Sequence, residues 1–190
     1  MLGTSKEIKY PGLNVLPPGV ERHIINGGGL TGIQLFPDDE IEIVNSEGNQ
    51  ICEIICFDKD GNSDLGILNL KSNNEKNFVR NILSGNDETI LATNYQLKKR
   101  NLKISNSKSS ILFDLDTKPS EKIKLKSKDK CYAIFASPGD DMDVTNQNPP
   151  GELTIFIKRS KVTNDKELNV IPDPVFEPAH EENILRQSCT

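Results

Sequence analysis

The sequence predicts an α+β protein that is predominantly β, an antiparallel β-sandwich or partly closed barrel with a two-helix insertion around residues 73–100. Two observations predict this class. Short apolar runs recur between Gly, Pro and Asn along the chain, and their spacing changes from period two to helical intervals only within that insertion. The 190 residues, of which 35% are apolar and 27% charged, have the composition of an ordinary globular domain.

The first half of the chain predicts two β-hairpins. Residues 20–25 and 30–36 flank an Asn-Gly-Gly-Gly turn, and residues 40–45 and 49–57 flank a Ser-Glu-Gly turn. The second pair shows the clearer alternation. Because both faces of residues 49–57 are largely apolar, that strand is predicted to lie in the middle of a sheet.

Two short helices are predicted next. The spacing of Ser72 and Glu75 is that of a capping box, which indicates where the first helix begins. The second helix is predicted to begin at Asn86 or Asp87 and to end before Asn101, a residue that suits the left-handed cap.

The remainder returns to strands and then loses its apolar content. Four β runs separated by turn residues are predicted at 110–115, 122–126, 131–136 and 152–158. The predicted domain organisation is an extended Pro- and Gly-rich lead-in at residues 1–19, a β-rich globular domain at 20–160, and a Pro-rich linker or tail at 161–190.

Composition excludes several classes of function. No run approaches the ~20 apolar residues that cross a bilayer, and the first residues lack a secretory signal. The net charge of −5 argues against nucleic acid as the main partner, because a basic surface is needed to neutralise phosphates. Because no secretory signal is visible, the expected compartment is the cytoplasm.

The four cysteines do not form a metal or disulfide motif. They are Cys52, Cys56, Cys131 and Cys189. Four steps along a strand separate the Cα atoms of Cys52 and Cys56 by about 13 Å, beyond the ~7 Å limit for a disulfide. These cysteines are predicted to be small buried hydrophobic residues.

A lysine stripe marks the second half of the chain. Residues 118–130 hold six lysines, of which Lys122, Lys124 and Lys126 alternate with apolar residues and would line one face of a strand. Such a stripe could attract an anion or could be a solvated face that discourages edge-to-edge pairing, and the second interpretation is favoured.

The residues show no catalytic constellation above background. The histidines are His23, in a predicted strand, and His180, in the Pro-rich tail, and neither lies in a nucleophile or metal-binding motif. The candidate residues for a ligand pocket are His23, Glu53, Asp58 and Asp141.

Two acidic loops suggest a metal site. In the loop 58–64 the glycine falls at the fourth position, where an EF-hand needs it at the sixth, so a solvated turn is favoured. A metal-dependent enzyme would need this loop and the second acidic loop to converge. Its ligands would then be Asp58, Asp60, Asp141 and Asp143.

Several turn-rich segments carry a family resemblance. They are Leu35-Phe-Pro-Asp-Asp-Glu-Ile-Glu-Ile-Val-Asn-Ser-Glu-Gly-Asn-Gln50, Cys52-Glu-Ile-Ile-Cys-Phe-Asp58, Gly61-Asn-Ser-Asp-Leu-Gly66 and Ser137-Pro-Gly-Asp-Asp-Met142. Their order, after a Gly-Gly-Gly approach, resembles the urea carboxylase-associated family, a domain of unknown function. The resemblance covers about residues 15–178.

The resemblance implies a place at the N-terminus of a longer protein. Similar domains precede an aminomethyltransferase region of the glycine-cleavage T-protein type, which belongs to one-carbon metabolism, and the segment 171–175 resembles the linker there. Tetrahydrofolate would then bind beyond Thr190. Relatives also carry a Cys-His-Asp segment suited to metal, which does not occur here, so the resemblance transfers no metal ligand to this chain.

Three functional hypotheses follow. The first is a non-catalytic accessory domain that docks onto a C-terminal transferase domain or a homologous subunit. The second is a barrel that binds a small amine or amino acid, and the third is the metal-dependent enzyme. No cofactor is expected in this segment, and neither nucleic acid nor a membrane is an expected partner.

Overall fold

The computed structural model describes residues 16–17, 19–74, 77–86, 88–139 and 149–160. They form eight strands, two α-helices and two short 3-10 turns, the latter at Leu65–Leu68 and Ile104–Asn106. The strands and helices are β1 (Val20–Ile25), β2 (Leu30–Leu35), β3 (Glu40–Asn45), β4 (Cys52–Phe57), α1 (Phe78–Leu83), α2 (Glu88–Lys99), β5 (Ser109–Phe113), β6 (Glu121–Lys126), β7 (Cys131–Ala136) and β8 (Leu153–Lys158).

The strands form two four-stranded antiparallel sheets. Sheet I has the order β1-β8-β3-β6, and sheet II has the order β2-β7-β4-β5. The pairs β1–β8, β2–β7, β3–β6 and β4–β5 are those of one long hairpin, which is rolled up so that β8 also meets β3 and β7 also meets β4. This is the eight-strand jelly roll, so the predicted predominantly β sandwich is confirmed.

The space between the sheets is filled by apolar side chains. The inward residues of sheet I are mostly isoleucines, and those of sheet II include Ile54 and Phe135, both fully buried. All six residues of β4 and of β7 are buried. The prediction of a central strand at residues 49–57 is therefore confirmed, because β4 lies between β7 and β5.

The helices explain why β4 and β7 are buried on both faces. A second apolar cluster covers the outer face of sheet II, where Phe57 and Ile134 of the strands pack with Val79 and Leu83 of α1 and Leu97 of α2. The insertion of two helices was predicted correctly, and Asn101 has the expected left-handed φ of 57°. Helix α1 begins later than the capping-box spacing indicated, because the side chain of Asn77 accepts from the amide of residue 80.

The two predicted hairpins are wrong. Strand β1 pairs with β8 and β2 pairs with β7, so the Gly-rich turn between β1 and β2 joins the two sheets. Likewise β3 lies in sheet I and β4 in sheet II. Alternation in the sequence determines which face of a strand is buried, whereas its partner is determined by how two sheets can bury those faces against each other.

The lead-in and the tail lie largely outside the described residues. Of residues 1–19 the structure describes only Leu16, Pro17 and Gly19, and it describes nothing of 161–190. The backbone amide of Arg159 donates to the carbonyl of Gly19, so the two ends of the described part of the chain lie side by side.

Candidate binding face

In the part of the chain that the structure describes, the outer face of sheet I is open, whereas helices cover the outer face of sheet II. Across its middle runs a row of directly opposed side chains, Arg22 on β1, Phe156 on β8, Glu42 on β3 and Lys124 on β6. Ile24, on the same face of β1, is 47% exposed. This face therefore presents an aromatic ring and an isoleucine among charged side chains.

Cross-strand ion pairs connect β3 to β6. Glu42 accepts from Lys122 at 2.9 Å and lies 3.4 Å from the ammonium of Lys124, and Lys126 lies 2.8 Å from Asp38. Lys122 and Lys124 lower the pKa of Glu42, chiefly through the hydrogen bond from Lys122. The lysine stripe is thus a solvent-facing row on an edge strand, as predicted.

A groove of about 910 Å³ crosses this face from β6 over β3 and β8 to β1. Its apolar lining includes Leu68, Leu70 and Leu125, and its charged lining includes Lys124 and Lys126. Pockets of ~300–1,000 Å³ are typical of ligand sites, so the groove is large enough to receive a ligand or an extended peptide.

A partly buried ion-pair network, which we call the clasp, lies at one end of the sandwich. It consists of Arg159, Glu21 and Asp39: the guanidinium donates to Glu21 through two nitrogens at 2.7 Å and to Asp39 at 2.6 Å. The same guanidinium donates to the carbonyl of Gln34 in sheet II, so the clasp connects the two sheets.

The clasp changes the ionisation of its members. Burial alone would raise the pKa of Glu21, but hydrogen bonds from His23 and Arg159 outweigh it and lower the pKa to about 2. Burial would lower the pKa of Arg159, and its two carboxylate partners raise it instead. Glu21 and Arg159 are therefore both charged at neutral pH. Sequence analysis missed the clasp because Arg159 is 138 residues from Glu21 and 120 residues from Asp39 in the chain.

His23, the first ligand-pocket candidate, lies beside the clasp. Its Nε2 is 3.2 Å from Oε2 of Glu21, and both side chains are about one-third exposed, at 30% and 31%. It lies on edge strand β1 opposite Ile155. This imidazole has an ionised neighbour but is not enclosed.

Glu53, the second candidate, is fully buried on the far side of sheet II, beneath α1. Its Oε2 accepts from the amide of Val79 at 2.6 Å and its Oε1 accepts from Asn74 at 2.5 Å. Because sheet II lies between them, Glu53 and His23 do not line one pocket. The geometry makes Glu53 a helix cap.

Asp58, the third candidate, forms hydrogen bonds within its own loop. It accepts from the amides of Asp60 and Asn62 at 2.9 and 2.8 Å, and these bonds lower its pKa against the opposing effect of burial. Asp141 and Asp143 lie outside the described residues. Within the described ranges, no group of three or more His, Cys, Asp or Glu is arranged to hold a metal.

Three cysteines, Cys52, Cys56 and Cys131, are free and buried, as the sequence predicts. Cys56 and Cys131 lie on neighbouring strands, a proximity that sequence analysis missed. The neighbouring Cys131 thiol, together with burial, raises the pKa of the Cys56 thiol. Ser127 Oγ lies 3.6 Å from the sulfur of Cys131.

Comparison with known proteins shows a similarity in sequence to a curated protein. No protein-family model matches the chain. The trimethylamine-oxide aldolase of Ruegeria pomeroyi (strain ATCC 700808 / DSM 15171 / DSS-3) is 30% identical over 171 residues, which are 90% of this chain and 22% of that protein. The chain thus spans about a fifth of the length of the curated relative it matches.

Among solved structures, a DUF1989 family protein from Silicibacter pomeroyi DSS-3, determined at 1.60 Å, aligns with a TM-score of 0.43 and 10% identity over 82% of this chain and 83% of its own. An alignment at that TM-score supports no statement about fold or function. The resemblance to the urea carboxylase-associated family stays a prediction. In the part of the chain that the structure describes, no helix is long and apolar enough to span a membrane.

Proposed function

We propose that this chain is an accessory module of a longer protein that metabolises small methylated amines, and that it acts by docking rather than by catalysis. The observation that carries the proposal is the asymmetry of the sandwich. Helices α1 and α2 cover sheet II, whereas no other described residue packs over the outer face of sheet I, which carries a groove of about 910 Å³. Exposed apolar surface rimmed by polar residues is typical of an interaction site.

The filled interior supports docking over an internal ligand site. A jelly roll can enclose a ligand between its sheets, but here Ile43, Ile54, Phe135 and Ile155 occupy that space and are fully buried. The sequence relative supports the amine context, because its aligned segment belongs to a trimethylamine-oxide aldolase. The aminomethyltransferase and tetrahydrofolate of the family resemblance remain predictions.

A domain transplant tests the proposal. In the Ruegeria relative, the aligned 171-residue segment is deleted or replaced by this chain. Trimethylamine N-oxide contains the atoms of one dimethylamine and one formaldehyde, so formaldehyde release reports its cleavage. We expect the deletion to lose activity and the transplant to restore it, while the 190-residue chain alone releases no formaldehyde. Turnover by the isolated chain would contradict an accessory role, and so would a deletion that keeps full activity.

A small amine is the second candidate for this face, and one observation favours it. Phe156 lies directly opposite Glu42, so an ammonium group placed there would meet an aromatic face and a carboxylate together. Thermal unfolding of the chain with trimethylamine N-oxide, dimethylamine or glycine tests this function. A melting temperature that none of the three compounds changes, in the wild type and in Phe156→Ser alike, counts against it.

A further inference from the structure

Among the residues that the structure describes, strand β6 is a free edge, and its two faces differ in chemistry. Within that part of the chain it pairs with β3 alone and forms the end of sheet I. Its outward side chains are Lys122, Lys124 and Lys126, whereas the inward Ile123 and Leu125 are partly buried against the core. A free edge of this kind can accept a further strand.

The strand already paired with β6 indicates which kind of strand complements its side chains. On β3, Glu40 and Glu42 lie opposite Lys126 and Lys124, and Ile43 lies opposite Ile123. An alternating acidic and apolar strand therefore satisfies both faces of β6 at once. The free side presents the same lysines and the same inward residues.

The lysines still carry unused hydrogen-bonding capacity. Lys122 and Lys124 share the single carboxylate of Glu42, and their side chains are 52% and 79% exposed. Each ammonium has three donors, so a second carboxylate can bind without displacing Glu42. A second copy of β6 is a poor occupant, because antiparallel self-pairing would place lysine opposite lysine.

The groove reaches β6 at one of its ends. Its lining there is Lys124, Leu125 and Lys126 with Leu68 and Leu70 beside them, and from β6 it continues over β3 and β8. Apolar side chains of an added strand would meet these leucines, while its acidic side chains would face the lysines.

We infer that the free edge of β6 binds an extended segment of alternating acidic and apolar residues, supplied by the remainder of the longer protein and added to sheet I as a fifth strand. This inference rests on the proposed function and names the partner of the open face. The lysines then select an acidic strand and reject a copy of β6.

Peptide binding tests the inference on the full 190-residue chain. The probe is a labelled synthetic peptide with the sequence of residues 39–46, which holds the acidic and apolar alternation of β3, and its counterpart has lysine for each glutamate. We expect the acidic peptide to bind about tenfold more tightly than the basic one, since each cross-strand charge pair contributes a factor of a few. Hydrogen exchange should slow at the amides of β6.

A charge swap makes the test specific to this edge. Lys124→Glu should weaken binding of the acidic peptide and strengthen binding of the basic one. Lys99→Glu, at an exposed position on α2, should change neither affinity. The inference would be overturned if neither peptide binds, or if hydrogen exchange slows only at amides outside β6. It would also be overturned if Lys124→Glu and Lys99→Glu change the peptide affinities equally.

The domain transplant distinguishes a failure of strand addition at β6 from a failure of the proposed accessory role. If the chimaera restores formaldehyde release with Lys124→Glu as fully as without it, while neither peptide binds, only strand addition fails. If the wild-type chimaera is inactive, the accessory role itself fails.

Discussion

The guanidinium of Arg159 lies 2.6 Å from the carboxylate of Asp39, and this contact ties the end of β8 to the turn that leads into β3. Asp39 is 1% exposed and also accepts from the amides of Phe36 and Ser160. A buried carboxylate with one cationic partner depends strongly on that partner.

Arg159→Met should therefore lower the free energy of unfolding by roughly 3 kcal/mol, because it leaves the charge of Asp39 buried without a cation. Urea denaturation followed by circular dichroism measures the change. Lys98→Met, at an exposed position on α2, is the control and should stay within about 0.5 kcal/mol of wild type. Equal stability of the two variants would show that the clasp does not stabilise the fold.

The acid stability of the protein should depend on Glu21. Its pKa is about 2 in the folded protein against an ordinary value of 4.5, so its contribution is complete above pH 4.5 and is lost as the pH falls towards 2. Between these values, the free energy of unfolding of the wild type should fall by roughly 2 kcal/mol more than that of Glu21→Gln, allowing for its partial exposure. Denaturation at a series of pH values measures this, with Glu152→Gln, an exposed site, expected to follow the wild type. Parallel curves for wild type and Glu21→Gln would contradict the assignment.

The strands and helices could be predicted from the sequence because their periodicity is local. The pairing could not. Strand β1 meets β8 across the length of the domain, and nothing near Ile25 in the chain indicates that Leu153 is its partner. Turn residues such as those between β1 and β2 permit a tight reversal, but they do not specify whether the reversal stays in one sheet.

The predicted site residues do not lie together in the structure, and the reason is related. Charged residues are rarely buried, yet Asp39 and Glu53 are both enclosed by partners far along the chain, which the local sequence does not indicate. Glu53 is held by Asn74 and Val79 of a segment more than twenty positions away. The lysine row was predictable because its alternation with apolar residues is local.

Replacing Glu53 tests whether it is a cap or a ligand group. In Glu53→Gln one of the two donors, the amide of Val79 or the side chain of Asn74, would face an amide NH₂, which should cost roughly 2 kcal/mol. Hydrogen exchange should accelerate at the N-terminus of α1, and thermal unfolding should move to lower temperature. Asp60→Asn is the exposed control. Unchanged stability together with loss of a small-amine response would instead assign Glu53 to ligand binding.

Gly32 and Tyr132 offer a test of how sheet II packs on its outer face. A Cβ at Gly32 would lie 2.1 Å from the hydroxyl and 2.7 Å from Cζ of Tyr132, whose ring is buried and stacked by Arg100 at 5.4 Å. In an open strand, Gly→Ala stabilises by about 0.4–1 kcal/mol through the unfolded chain, so the sign of the effect is informative. Gly32→Ala should destabilise by roughly 1–3 kcal/mol, because the ring must move. In the Tyr132→Leu background the same change should cost little or stabilise, and a double-mutant cycle from urea denaturation measures that coupling. A penalty of equal size in both backgrounds would mean that the tyrosine ring is not what keeps this position a glycine.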